Sequence, residues 1–270
     1  MSYFNNDHYN SYYYANIIDN ILTDDIELIG FISQFHEAYG TSVLKSFEKT
    51  TAFHAFIALN IRNFFLDDMS EHDEKEYKIS LVNPPLGPLY AEWPLKNYGL
   101  DFSFAEFIED KEEITWEDIE AYHDDLHLIG YLEELFDKIA EEVFYLLFNN
   151  RDLLTRFNLI MARYVSDITL DSLEEDEEYL FLRDGRLKRT ELPEWVKNAV
   201  FFRDRGHCCG CKKDVSSLLN LSEQKHYDHI VPLAEGGLND ITNIQLLCKE
   251  CNLSKSNKEI YTSRLYEKWY

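Results

Sequence analysis

Apolar residues recur at helical spacing along most of the first 166 residues. Two stripes with a period close to 3.6 open the chain. They comprise Tyr14, Ile17, Ile18, Ile21, Ile26 and Leu28, and then Val43, Leu44, Phe47, Phe53, Phe56, Ile57 and Ile61. Similar runs cover roughly 115–130, 131–149 and 151–166. This pattern predicts an all-α bundle over residues 1–166.

The helical pattern is interrupted at residues 83–99, which read NPPLGPLYAEWPLKNYG. Four prolines stand in this stretch, Pro84, Pro85, Pro88 and Pro94. A proline lacks a backbone N–H and restricts the residue before it, so a continuous helix cannot cross this segment. We therefore expect a loop here.

An acidic stretch with little apolar periodicity, DITLDSLEEDEEY at residues 167–179, follows the helical region. Such a run is typical of a solvated connection. The basic segment FLRDGRLKR comes next, and its Asp184-Gly185 pair favours a hairpin turn. We therefore divide the chain into an acidic helical domain (1–166), an acidic linker with a basic hairpin (167–190) and a C-terminal domain (191–270).

The charge is divided unevenly along the chain. The 270 residues carry a net charge of −24, yet residues 181–270 hold 15 Lys and Arg against 12 Asp and Glu. Residues 1–180 hold 11 Lys and Arg against 38 Asp and Glu. No run approaches the roughly 18 apolar residues of a membrane helix, and the first residues lack the pattern of a secretory signal. These features predict a cytoplasmic protein without a membrane span.

All five cysteines lie after position 207, in HCCGC and CKEC. They form two C-x-x-C pairs, Cys208 with Cys211 and Cys248 with Cys251, and Cys209 is left over. Two such pairs predict a structural zinc ion held by four thiolates. Two disulfides are the alternative, which the odd number of cysteines and the expected cytoplasmic location disfavour.

The segment between the cysteine pairs contains HYDHIVPLAEGG at residues 226–237. An apolar run ends near Val231, a polar loop follows, and IQLLC forms a second run before a helix expected at about 249–258. This order predicts a ββα unit whose ends the zinc site joins.

Asp228, His229, Asn243 and Asn252, framed by the two C-x-x-C pairs, resemble the HNH endonucleases, in the zinc-containing branch of the His-Me finger (ββα-metal) superfamily. The stretch RTELPEWVKNAVFFRDRGHC resembles the helix that precedes the first cysteine pair in that branch. The resemblance covers about residues 190–260. It implies a mainly α fold class, in which an acidic all-α domain precedes a small ββα-metal domain with a four-cysteine zinc site.

The resemblance also implies the roles of the site residues. His229 would be the general base, since an imidazole with a pKa of about 6.5 is mostly neutral near pH 7. Asp228 and Asn252 would bind a catalytic Mg²⁺ or Mn²⁺ through oxygen atoms, and Asn243 would hold the two strands together. His or Asn occupies the position of Asn252 in the family, and Asn is the less common. His226 is either a further contact of this site or an ordinary strand-surface histidine.

Nucleic-acid affinity requires local clusters of cations, because the C-terminal region has little excess positive charge. The candidate phosphate-binding residues are Arg183, Arg186, Lys188, Arg189, Lys255 and Lys258. The expected substrate is DNA, although these residues do not distinguish DNA from RNA.

The sequence therefore predicts a metal-dependent HNH endonuclease that hydrolyses DNA phosphodiester bonds, with restriction or anti-phage defence as a role suggested by association alone. A zinc-stabilised nucleic-acid-binding module without catalysis is the alternative, and an exported nuclease toxin shares the same chemistry. For the acidic helical domain, one hypothesis is binding of a protein partner or autoinhibition of the nuclease. The other is a simple tether or oligomerisation unit.

Overall fold

A computed structural model describes residues 10–23, 28–109, 111–170, 173, 177–217, 225–255, 260 and 262. Within them it contains ten α-helices and one two-stranded antiparallel sheet. The helices are α1 (Ser11–Ile21), α2 (Leu28–Tyr39), α3 (Ala52–Ser80), α4 (Glu92–Asn97), α5 (Phe104–Phe107), α6 (Trp116–Ile129), α7 (Tyr131–Leu147), α8 (Arg151–Asp167), α9 (Glu194–Arg203) and α10 (Lys249–Lys255). The strands are β1 (Lys225–His229) and β2 (Ile244–Cys248). The predicted fold class, mainly helical with a small C-terminal ββα unit, is confirmed.

The helices predicted at 115–130, 131–149 and 151–166 are present as α6, α7 and α8. Their ends follow from local chemistry. Thr115 and Asp118 form a capping box at the start of α6, and Gly130 ends that helix with φ of 84°. The side chain of Asn150 accepts a hydrogen bond from the Leu153 amide and so caps α8. None of the helices in the described ranges has the length and apolarity needed to cross a membrane.

The two N-terminal stripes form more elements than their spacing predicts. The second stripe is not one helix, because a 3₁₀ helix over Gly40–Leu44 and a short loop precede α3. The predicted loop at 83–99 contains a helix, α4. Pro94 is tolerated there because it lies in the first turn, where an N–H has no partner within the helix.

The structure divides into two compact units. The first comprises residues 1–16 and 56–144, and the second comprises residues 17–55 and 145–270. These limits do not coincide with the predicted domain ends at 166 and 190, and the separate function of residues 1–166 stays a prediction. By sequence, the first unit has 6 Lys and Arg against 24 Asp and Glu, so it carries most of the chain's net negative charge.

A buried carboxylate organises part of the first unit. Asp73 is fully buried and accepts a hydrogen bond from the Tyr90 amide at 2.8 Å. Its two oxygens also contact His72 Nδ1 at 2.9 Å and His123 Nε2 at 2.8 Å. His127, four residues after His123, faces Glu133 instead. The i, i+4 spacing of these last two histidines therefore does not create a joint site.

A second buried carboxylate joins three elements of the second unit. Asp204, directly after α9, accepts hydrogen bonds from Arg203 of α9, from Arg151 of α8 at 3.0 Å and from the Leu246 amide of β2 at 2.9 Å. Burial opposes ionisation of this carboxyl, yet the Arg203 and Arg151 guanidinium groups hold its pKa below the usual range. The sheet is thus fastened to both helices by charge-assisted hydrogen bonds.

Asp204→Asn should lower the free energy of unfolding by about 3–5 kcal/mol, because two guanidinium groups would remain buried without a full counter-charge. Urea denaturation of the full chain measures this loss. Asp184→Asn is the matched control, because Asp184 pairs with Arg186 on the exposed surface. We expect no measurable change there. Similar small losses in both variants would contradict the structural role of Asp204.

Candidate nuclease site

Asn243 ties together the two ends of the β1–β2 loop, residues 230–243. Its Oδ1 accepts a hydrogen bond from the Val231 amide at 2.8 Å, and its Nδ2 donates to the carbonyls of Val231 and Leu238 at 2.9 Å each. Its own carbonyl accepts from the Ile230 amide at 2.6 Å. The side chain is fully buried and uses its donors and acceptor within the loop. This geometry fits the bracing role expected for Asn243.

Gly237 permits the same closure. A Cβ atom at this position would lie 2.0 Å from the Val231 carbonyl oxygen and 2.9 Å from Asn243 Nδ2. Any side chain would therefore push the loop away from the strand end. At the second position of the Gly236-Gly237 pair, a glycine is therefore required for steric reasons.

His229 is the last residue of β1 and only 3% exposed. Burial lowers the pKa of His229 to about 4, the nearby Arg189 cation adds to this effect, and Asp228 and Asn239 oppose it. Among the described residues, Nε2 of the ring has no hydrogen-bond partner. The imidazole is therefore neutral at pH 7 and keeps one nitrogen available for a proton.

Asp228 and Lys255 form an ion pair beside that histidine. Lys255 Nζ lies 2.8 Å from Asp228 Oδ2 and donates to the His229 carbonyl at 2.6 Å. The Lys255 side chain is 2% exposed and that of Asp228 is 24% exposed. The ammonium group of Lys255, which the sequence suggests as a phosphate contact, is buried against β1, and a phosphate-binding role for it stays a prediction. Lys258 lies outside the described residues.

Asn252 lies three residues before Lys255 on α10 and is half-buried. Residues at this spacing share a helix face, so the contact of Lys255 with β1 turns the face that carries Asn252 toward the same strand. The Asp228 carboxylate and the Asn252 amide oxygen are hard donors of the type that Mg²⁺ and Mn²⁺ prefer. The two donors thus fit such a cation by their chemistry, and the Lys255 ammonium contacts one of them, Asp228.

The backbone bends just after the two adjacent site residues. Asp228 pairs with Gln245 and His229 with Ile244 in regular antiparallel register, and the bend comes at Ile230. The bend therefore follows the Asp228–His229 pair and does not separate its members. His226, which is also on β1, pairs with Leu247 of β2 and is half-buried.

The four cysteines of the two C-x-x-C pairs converge. The sulfur atoms of Cys208, Cys211, Cys248 and Cys251 all lie within 4.8 Å of one another. The Cys211 and Cys248 sulfurs are 3.7 Å apart, which matches the spacing of about 3.8 Å expected for thiolates around a tetrahedral zinc ion. Burial, with smaller contributions from neighbouring groups, raises the pKa of Cys248 to about 11. The cluster therefore fits zinc, whose charge offsets the cost of ionising crowded thiols.

The fifth cysteine stands apart from this cluster. Cys209 is buried, and its amide donates to the Leu246 carbonyl of β2 at 2.8 Å. Burial, and to a lesser extent the Asp204 carboxylate, raises the pKa of Cys209 to about 12. Its thiol therefore stays protonated at neutral pH, and its role is packing against the sheet.

The predicted basic hairpin is formed. Phe181 and Leu187 pair across it, and Gly185 adopts φ of 81° in its turn. The four basic residues are exposed, and they are Arg183, Arg186, Lys188 and Arg189. Asn239 Nδ2 donates to the Lys188 carbonyl at 2.7 Å, so the hairpin is attached to the β1–β2 loop next to His229.

Two residues of this region have contacts that the sequence did not predict. Asn239 joins the hairpin to the loop, and Lys255 contacts the candidate metal ligand Asp228. The three-residue spacing from Asn252 was a signal that Lys255 shares the inward face of α10. A polar residue in a loop, such as Asn239, gives no comparable signal.

Comparison with known proteins matches this region to one family. A family model described as HNH endonuclease matches residues 207–258. Neither curated proteins nor solved structures give a match to the chain. The match includes both cysteine pairs, β1, β2 and α10, and together with the four-cysteine cluster it agrees with the zinc-containing branch of that family.

Cys208→Ala and Cys251→Ala should each lose bound zinc, because three thiolates hold the ion much less tightly than four. Elemental analysis of the purified full chain measures the zinc content. Cys209→Ala is the matched control and should keep about one zinc per chain, as the wild type does. Loss of zinc from the Cys209 variant, or its retention in the Cys208 variant, would refute this assignment.

Proposed function

We propose that this protein, whose residues 207–258 match the family model described as HNH endonuclease, is a metal-dependent endonuclease that hydrolyses phosphodiester bonds of DNA. The observation that carries this proposal is the buried, neutral His229. In the part of the chain that the structure describes, its Nε2 has no hydrogen-bond partner, and the residue ends β1 directly after Asp228. A buried polar atom left without a partner is costly, which is typical of a functional position.

Each residue has a distinct part in the proposed hydrolysis. His229 accepts a proton from the attacking water through Nε2, which a neutral imidazole can do. Asn243 keeps the ring in place by bracing the loop that follows it. Asp228 and Asn252 would hold a divalent cation, Mg²⁺ or Mn²⁺. When bound, this cation would offset charge on the phosphoryl and leaving oxygens.

The exposed hairpin cations supply the affinity for the nucleic acid backbone. Arg189 is the best placed of them, because it is near enough to depress the pKa of His229. Arg186 is partly neutralised by its ion pair with Asp184. Phosphate contacts of this kind position a duplex without reading its sequence. The exposed cations of the hairpin would therefore suit the phosphates of DNA or RNA, and DNA is the substrate we propose.

A catalytically inactive, zinc-stabilised binding module is the second candidate. The observation that favours it is the ion pair between Lys255 and Asp228. A cation that replaced the ammonium on the carboxylate would have to displace a buried lysine or share Asp228 with it, and either arrangement has an electrostatic cost. In this alternative the ion pair is permanent, and the domain binds nucleic acid without cutting it.

We place the nuclease in the cytoplasm, where four converging thiols stay reduced and available to zinc. Restriction or anti-phage defence is the proposed role. A partner-binding or autoinhibitory role of residues 1–166 stays a prediction.

His229→Ala should slow plasmid cleavage by about 100-fold or more, because the general base is lost. A plasmid assay with Mg²⁺ or Mn²⁺ measures the rate, and omission of both ions should abolish cleavage. His226→Ala is the matched control on the same strand and should lose much less. Binding without cleavage by the wild type in every divalent metal would favour the inactive module.

Arg189→Ala should weaken DNA binding and reduce the slope of log affinity against log salt by about one, as expected for one lost phosphate contact. Fluorescence anisotropy of a labelled duplex at several salt concentrations measures both effects. Arg186→Ala should change them less, because Asp184 already neutralises that guanidinium group. Equal effects of the two substitutions would argue against a special position of Arg189.

A further inference from the structure

The β1–β2 loop is held from outside the matched HNH region. Within the second unit, the Phe47 amide donates to the Asn239 carbonyl at 2.8 Å. Gly236 packs against the backbone of Ala162 in α8 so closely that a Cβ would lie 2.8 Å from the Ala162 carbonyl oxygen. Two segments that are distant in sequence therefore support the loop that follows His229.

Asp240 makes the most directed of these connections. Its Oδ1 accepts from the Thr242 amide at 2.8 Å and from the Thr242 hydroxyl at 2.7 Å. Its Oδ2 accepts from the amide of Ala52, the first residue of α3, at 3.2 Å. An N–H in the first turn of a helix has no partner within the helix, and a carboxylate satisfies it while favouring the positive end of the helix dipole.

Thr242 extends this network to α8. Its hydroxyl accepts a hydrogen bond from Asn158 Nδ2 at 3.2 Å, and both side chains are fully buried. The next residue is Asn243, which closes the loop at the strand ends. A displacement of Asp240 or Thr242 would thus pass directly to the residue that braces the site.

The hydrogen-bond network around Asp240 is buried. Asp240 is 5% exposed, so its carboxylate depends on the donors of Thr242 and Ala52 for stabilisation. A buried group with all its acceptors engaged in fixed directions rigidifies its surroundings. The network therefore restrains the position of the loop as well as contributing to stability.

We propose that Asp240 is a positioning residue of the nuclease, which fixes the β1–β2 loop to the N-terminus of α3 and, through Thr242, to α8. The working nuclease then includes Phe47–Ala52 and α8 besides the matched residues 207–258. This inference rests on the proposed function, because positioning matters only for a site that acts on a substrate.

The first test compares Asp240→Asn with Asp118→Asn in the full chain. Asp118 is also a buried carboxylate at a helix N-terminus, but it lies in the first unit. Both variants should lower the melting temperature. Only Asp240→Asn should lower kcat, by about 10-fold or more, with KM near the wild-type value, as expected for a misplaced base. Wild-type kcat in Asp240→Asn, or an equal loss in Asp118→Asn, would overturn the proposal.

A second pair of variants guards against simple misfolding. Thr242→Ser keeps the hydroxyl that bonds Asp240 and Asn158, whereas Thr242→Val keeps the shape and removes it. We expect kcat to be retained in the serine variant and reduced several-fold in the valine variant. Equal activity of the two would overturn the proposal.

Amide hydrogen exchange separates this inference from the proposed function, because it needs no cleavage. In Asp240→Asn the amides of Val231 and Asn243 should exchange faster than in the wild type, and in Asp118→Asn they should not. If the wild type cuts no nucleic acid, the proposed function fails while the exchange rates still report whether Asp240 holds the loop. Unchanged exchange in Asp240→Asn would refute the positioning role.

Discussion

The buried carboxylate of Asp204 is the interaction on which the second unit depends most. It receives guanidinium groups from α8 and α9 and the Leu246 amide of β2. A group of this kind is stable only while all its partners are present, because burial makes any unpaired charge costly. The sheet, the helix that leads into the first cysteine pair and the C-terminal part of the helical region are therefore one structural assembly. The four-cysteine cluster, whose geometry fits zinc, brings the two cysteine pairs together at the C-terminal end of the same strand.

The candidate site is positioned from β2 by a series of shorter-range contacts. β2 aligns β1 through a regular register, and β1 ends at His229. Asn243 and Gly237 close the loop so that the imidazole lies at the strand end. Lys255 then connects the final helix to the neighbouring Asp228. The loop closure lies within the matched residues 207–258, whereas the outer support comes from segments of this chain that carry no recognisable motif.

The sequence predicted those parts of the structure that depend on patterns between residues close together in the chain. Helical periodicity located α6, α7 and α8 to within a few residues, and cysteine spacing located the metal cluster. The limits of the compact units did not follow from periodicity or charge, because they depend on contacts such as that of Ala52 with Asp240. The burial of Lys255 was missed for a related reason, since a lysine in a basic segment has the same local pattern whether it faces solvent or a carboxylate.

The contact between Ala52 and Asp240 joins residues that are 188 positions apart. Closing so long a chain segment is slow, and it cannot begin before the distal residue exists. During translation the ribosome releases the supporting helical segments first, and the loop emerges later. A nascent chain that has not yet reached Asp240 would therefore leave the Ala52 amide without this carboxylate. The topology by itself makes the assembly of this loop a late event relative to the helices that support it.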